Sequence, residues 1–201
     1  MPLDRVREYH NRGTLEAVNI LMAMHCGPLL KGLKNAVIIS VDNKLFSELV
    51  RQLESTPYGY LVLNEGTEKN LVMLYHIQRF REYISRRQII GGLRKYGYGV
   101  SRKKTKEENM MCALFELAER ISEYYQGKKE FPHEIGYFLE YPVQDVEMFI
   151  RHKGQNYLMT GYWKVYHNLE QAKEIFAQYD LAREKTVEDV IAGKMLYELA
   201  V

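Results

Sequence analysis

The chain has 201 residues, 46% of them hydrophobic, and its 28 Lys and Arg stand against 26 Asp and Glu for a net charge of +2. That length can bury a core as one domain spanning 1–201, and no low-complexity tract argues for disorder. No apolar run approaches the roughly 20 residues a membrane helix needs, and the opening MPLDRVREYH lacks the apolar centre of a signal peptide, so a cytoplasmic protein without a membrane partner is expected. The two cysteines, Cys26 and Cys112, cannot form a metal cage by themselves, and a reducing compartment disfavours their pairing.

Residues 3–11 have the spacing of a short amphipathic helix ending at Gly13. Thr14 offers an N-cap to a second helix, in which Leu15, Val18, Ile20, Leu21, Met22 and Met24 leave little polar face; burial is predicted. His25-Cys26-Gly27-Pro28 is expected to end it. A histidine beside a thiol makes Cys26 a candidate nucleophile, because a neighbouring imidazole lowers a thiol pKa. Adjacent helical residues diverge, however, and the alternative is a thiol packed beneath a sheet. Residues 36–41 (AVIISV) read as a buried strand, Asp42 or Asn43 as the cap of a helix, and Leu45, Phe46, Leu49, Val50 and Leu53 as its inward stripe. Residues 58–63 and 71–76 read as a hairpin joined by a polar loop.

From Ile77 the period is helical again through Phe80, Tyr83 and Ile84, then Ile89, Ile90 and Leu93, weakened by Gly91-Gly92. Between 79 and 106 ten basic residues (Arg79, Arg81, Arg86, Arg87, Arg94, Lys95, Arg102, Lys103, Lys104 and Lys106) face one acid, Glu82. Interleaved with Tyr83, Tyr96 and Tyr98, they could follow a phosphate backbone while the rings stack on bases; they could equally be a solvated face. The two glycines fit neither G-x-G-x-x-G nor a G-K-[ST] loop. Thr105-Lys106-Glu107-Glu108 has the form of a capping box and opens a helix ending at Gly127, with Cys112 read as a core thiol.

Residues 131–166 hold the densest chemistry. Pro132 suits a first helical turn, Tyr141-Pro142 stops that helix, and Val143, Val146, Phe149 and Ile150 carry a second one to Gly154. Beyond it the period becomes two: Met159, Gly161, Trp163 and Val165 alternate with Leu158, Thr160, Tyr162, Lys164 and Tyr166, which predicts one strand with Trp163 turned inward. Asn168 can cap a further helix through Tyr179, and residues 186–199 read as a last one.

The runs F-P-H-E-I-G-Y-F-L-E-Y-P (131–142), D-V-E-M-F-I (145–150) and G-Y-W-K-V-Y (161–166) resemble an uncharacterised bacterial family, a domain of unknown function, with a likeness reaching upstream to Cys26-Gly27-Pro28. That resemblance implies no activity. In the family, cysteines often precede G-Y-W-K; this chain has Tyr157, Leu158, Met159 and Thr160 there, so no thiol-based metal or redox role is carried over. Glu134-Ile135-Gly136 with Leu139, Val143, Val146 and Ile150 is also similar to a helix-turn-helix, but Asp145 and Glu147 on the outer face would repel phosphate.

His133-Glu134 is the most catalytic-looking pair, though H-E without a second histidine is not a metalloprotease pattern, and bracing of the helix start is the alternative. Tyr162, Lys164 and Tyr166 on one strand face, with His133 and Glu134 arriving from the preceding helix, form the preferred ligand-binding site. The expectation is an α+β protein with a small mixed sheet of about four strands, acting as a non-enzymatic binding or regulatory module for a small molecule or protein. No cofactor or metal is named. The first alternative is nucleic-acid binding through Arg86, Arg87, Arg94, Lys95, Arg102, Lys103 and Lys104; the second is an enzyme using His133 and Glu134.

Overall fold

A computed structural model describes residues 13–199, and the helix expected at 3–11 lies outside them. The element order is α1 (Thr14–Leu30), β1 (Ala36–Asp42), α2 (Asn43–Leu53), β2 (Tyr58–Glu65), β3 (Lys69–His76), α3 (Ile77–Ile84), α4 (Arg87–Lys95), α5 (Lys106–Tyr125), α6 (Ile135–Phe138), α7 (Val143–Arg151), β4 (Met159–Thr160), β5 (Lys164–Val165), α8 (Leu169–Ile191) and α9 (Leu196–Leu199). The class is α+β. None of these helices is long and apolar enough to cross a membrane.

The main sheet is antiparallel, with β3 between β1 and β2, and its register runs from Ala36 opposite Tyr75 to Asp42 opposite Lys69. Helices cover both faces. On one, Val18, Met22, Cys26 and Leu29 of α1 and Leu49 and Leu53 of α2 meet Val37, Ile39, Val72 and Leu74. On the other, Met73 and Leu63 meet Phe80, Ile84, Leu93, Leu114 and Leu117 of α3, α4 and α5, with Tyr137 and Phe138 of α6 in the same cluster. The Thr105 hydroxyl and Glu108 carboxylate close the expected capping box at the start of α5.

α1 is apolar all round because it is covered twice: its Ile20 and Ala23 sit against Val187 and Val190 of α8. It also runs past the expected stop, through Pro28 to Leu30. Burial on both sides holds the last turn despite the hydrogen bond that the proline removes, and Pro28 O then accepts from Leu33 N at 2.8 Å and Lys34 N at 3.1 Å. Gly27 permits the close crossing, since a Cβ there would lie 2.6 Å from Arg183 Cα.

Two further expectations are corrected. The helices separated at 180–185 are one helix, α8, because Asp180 to Lys185 contain no breaker; the interruption comes later, at Gly193 with φ 93. The single strand over 158–166 is instead a hairpin of two short strands, β4 and β5, folded back at Gly161, whose N–H donates to Trp163 O at 3.0 Å. The alternating sequence continues through the turn. At that point a Cβ on Gly161 would meet the Phe176 ring at 2.1 Å, and the turn drives Trp163 into the core as expected.

Candidate functional site

The site is built from the corner between α6 and α7 and from the hairpin that folds over it. Gly136 lets the two helices close, because a Cβ there would stand 2.7 Å from Val146 Cγ2. Glu140 makes the corner in a left-handed conformation, φ 58, which is costly for a residue with a Cβ. Its carboxylate accepts from both the backbone N–H and the side-chain amide of Asn35, and so fixes the corner to the loop after α1.

Asp145, in the first turn of α7, ties the hairpin down. It is almost fully buried and accepts from Trp163 Nε1 at 2.7 Å, Tyr166 N at 2.9 Å and His167 N at 3.2 Å, with His167 Nδ1 2.6 Å away. The sequence reading placed Asp145 on an outer face. The structure turns it inward, where the indole and two consecutive backbone N–H groups need an acceptor.

Between corner and hairpin lies a cavity of about 250 Å³ walled by Phe131, Gly136, Leu139, Tyr141, Phe149 and Trp163, with Asp145 also in its lining. Two polar tips reach its rim. The exposed His133 ring stands 5.0 Å from Phe149, and Lys164 Nζ lies 5.7 Å from the same ring and 4.6 Å from Tyr157. Lys164 spends one donor on Gly154 O at 2.8 Å. An ammonium has three, so the others face the rim or solvent.

Of the residues proposed from sequence, His133 and Lys164 come together. Glu134 points the other way: it is buried, 3.1 Å from Arg120 Nη1 and 3.4 Å from Tyr98 OH, while Arg120 lies over the Tyr98 ring and donates to Tyr96 O at 2.7 Å. His133 and Glu134 therefore share no site. Tyr162 donates its hydroxyl to Asp180 at 2.9 Å among Phe176 and Tyr179, and burial and that carboxylate push it up to about 12. Tyr166 stacks on His152 at 6.0 Å. Tyr162 is thereby turned towards α8, whereas Tyr166 keeps Tyr157 as a neighbour in common with Lys164. Cys26 is fully buried, its thiol pushed up by burial, with Sγ 3.6 Å from Met22 Sδ. Cys112, expected in the core, is half-buried beside Glu116 at 3.1 Å and Lys104 at 3.5 Å.

A model of the protein family described as "Protein of unknown function (DUF3793)" matches residues 22–200. The chain belongs to this family. The matched span contains the corner, the hairpin and every residue of the cavity, so in DUF3793 terms the site lies inside the shared domain rather than on an appendage. No curated protein and no solved structure matches the chain.

The basic segment is less bare than its sequence. Arg81 pairs with Glu107 at 3.4 Å, Lys95 with Glu147 at 3.0 Å and Lys106 with Glu82; Lys104 donates to Gly99 O at 2.8 Å, and Arg86 lies over the Tyr83 ring. Arg87, Arg94, Arg102 and Lys103 are exposed. Among the described residues no group of three or more His, Cys, Asp or Glu could hold a metal ion.

One polar centre had no sequence signal. Lys34 is buried with Nζ 5.3 Å from the Tyr141 ring and 5.7 Å from Tyr179, and burial brings its amine down to about 8 while Glu140 pulls it back up. Burial conversely raises the Glu140 carboxyl. Tyr141 thus has Lys34 against its ring and also forms a wall of the cavity.

Proposed function

We propose that this DUF3793 protein is a ligand-binding module that takes a small, mainly apolar molecule carrying an anionic group into the cavity between the α6–α7 corner and the β4–β5 hairpin. One observation carries the reading: an apolar cavity of about 250 Å³ whose rim holds the His133 imidazole and the Lys164 ammonium. That volume is below the roughly 300–1,000 Å³ of drug-sized sites and above the roughly 150 Å³ cavity that holds benzene, so a ring or branched chain with a short arm fits. The apolar body would replace water against Tyr141, Phe149 and Trp163. The carboxylate or phosphate would meet Lys164 in a place partly screened from solvent, where a charge-assisted hydrogen bond is stronger than in water.

Calorimetric titration with phenylacetate, isovalerate and 2-phenylethanol tests this. The acids should bind with one site per chain and the alcohol at least tenfold more weakly; Lys164→Met should remove that preference and Leu139→Phe, which fills the cavity, should abolish binding. Absence of saturable heat with every probe, or binding untouched by Leu139→Phe, would overturn the reading.

A second reading, nucleic-acid binding, draws on a shallow cleft of about 450 Å³ over Gly91 and Gly92, flanked by Arg87 and Lys95. Nothing lies within 4 Å of where a Gly91 Cβ would be, so a backbone phosphate could approach the helix there. It predicts oligonucleotide affinity that falls steeply with salt and is lost on charge reversal at Arg87 and Arg94.

A further inference from the structure

Lys34, in the loop after α1, carries a buried amine that the fold leaves without an acceptor. The residue is 6% exposed, and among the described residues its Nζ makes no hydrogen bond and no ion pair. Its neighbours are the Tyr141 ring at 5.3 Å, the Tyr179 ring at 5.7 Å and the Glu140 carboxyl, which is close enough to act on its charge. A lysine that only fills space sends its ammonium to water, because a buried charge without an acceptor is costly. Here the loop is pinned on both sides of the side chain. Lys34 N donates to Pro28 O at 3.1 Å, and the next residue, Asn35, holds the Glu140 carboxylate with its backbone N–H and side-chain amide.

This setting favours the neutral amine. Burial brings Lys34 down to about 8, with Glu140 pulling it back up. At pH 7 about one such amine in ten is unprotonated, against fewer than about one in a thousand for an ordinary lysine at 10.5. A neutral amine is a nucleophile, and desolvation among apolar groups is a common way for a protein to make one. The neighbours suit the same chemistry. Burial raises the Glu140 carboxyl, against the pull of Asn35, Lys34 and Arg86, which moves it towards the range where a carboxyl can give up a proton to a leaving hydroxyl. Burial also raises the Tyr141 and Tyr179 hydroxyls, so both stay protonated.

We propose that Lys34 is an imine-forming lysine that takes a small, uncharged aldehyde beside the Tyr141 and Tyr179 rings. Its nitrogen lone pair attacks the carbonyl carbon, the C–N bond forms and the carbonyl π pair moves to oxygen. A proton passes from nitrogen to that oxygen and gives a carbinolamine. The Glu140 carboxyl then protonates the hydroxyl, which leaves as water while the nitrogen lone pair closes the C=N bond, so the protonated imine stands near the Glu140 carboxylate. Amine and aldehyde thus give imine and one water, with no oxidant or reductant. The slight exposure of Lys34 restricts the partner to a carbonyl compound of a few carbons, and Glu140 disfavours an anionic one. Lys34 does not line the ligand cavity proposed above and shares only Tyr141 with it, so the two readings stand or fall separately.

Reductive trapping of the intact full chain with acetaldehyde and cyanoborohydride, followed by peptide mapping, is the test. At pH 7 Lys34 should be ethylated about tenfold or more faster than the exposed Lys128 and Lys153 of the same molecule. That preference should shrink as the pH approaches 10, where those two lysines also lose their protons. Lys34→Arg, which keeps a cation but forms no imine, should show one fast adduct fewer than the wild type by intact mass. Lys34 labelled no faster than Lys128, Lys34 labelled only after the chain is unfolded in urea, or an equal number of fast adducts in Lys34→Arg would each overturn the proposal.

Discussion

Asp145 is the residue on which the hairpin depends. A carboxylate that is 2% exposed and receives an indole N–H, two backbone N–H groups and an imidazole nitrogen cannot be deleted without leaving buried donors unmatched. Each such donor costs about 1–3 kcal/mol. Asp145→Ala should therefore lower the urea-derived unfolding free energy by about 3 kcal/mol or more, and Asp145→Asn, which keeps one acceptor, by less. Lys34 makes the opposite kind of contribution. Its amine is held at about 8 in the folded chain against an ordinary 10.5, with burial the main cause and Glu140 opposing it. Between those values the unfolded chain binds more protons, so stability from this group rises with pH from about 8 to about 10.5. Lys34→Met, free of the buried charge, should be more stable than the wild type at pH 7, and that advantage should shrink by on the order of 3 kcal/mol as pH approaches 10. An advantage that stays constant with pH would contradict the assignment.

At the scale of elements, α1 and α8 set each other's position. A Cβ at Gly27 would meet backbone atoms of Arg183, which cannot rotate away as a side chain could. Gly27→Ala should destabilise by about 1–3 kcal/mol, read as a fall in the thermal midpoint, even though alanine favours a helix. Thr105→Ala, removing half of the capping box, should cost about 1 kcal/mol. Local signals of this kind were legible in the sequence: the capping box, the AVIISV strand and the Asp42 cap, whose side chain accepts from Lys44 N, all report chemistry within a few residues, whereas the helix expected to stop at Tyr141-Pro142 already ends at Phe138, ahead of the left-handed Glu140. What was not legible depends on distant partners. The alternation from Leu158 to Tyr166 has the period of one strand, and only the Phe176 ring against Gly161 shows where it must fold back. His133 and Lys164, expected on one site, both line the cavity and both lie near the Phe149 ring. The separation of Glu134 was not expected, because Arg120 and Tyr98, which draw it away, lie 14 and 36 residues distant.

For the whole molecule, the antiparallel sheet with helices on both faces is a scaffold beside which the hairpin and α8 form a separate small cluster, Trp163, Val165, Ala172, Phe176 and Tyr179. The cavity lies where that cluster meets the α6 end of the main core, a junction of the sort ligand sites favour. Trp163 is the only tryptophan in the chain, it walls the cavity, and its indole N–H is held by Asp145. Tryptophan emission from the intact protein during titration with phenylacetate therefore reads the proposed site directly. The account predicts a saturable change with one-site stoichiometry, reversed by dilution and absent in Leu139→Phe; emission that stays constant, or drifts linearly without saturating, would contradict it.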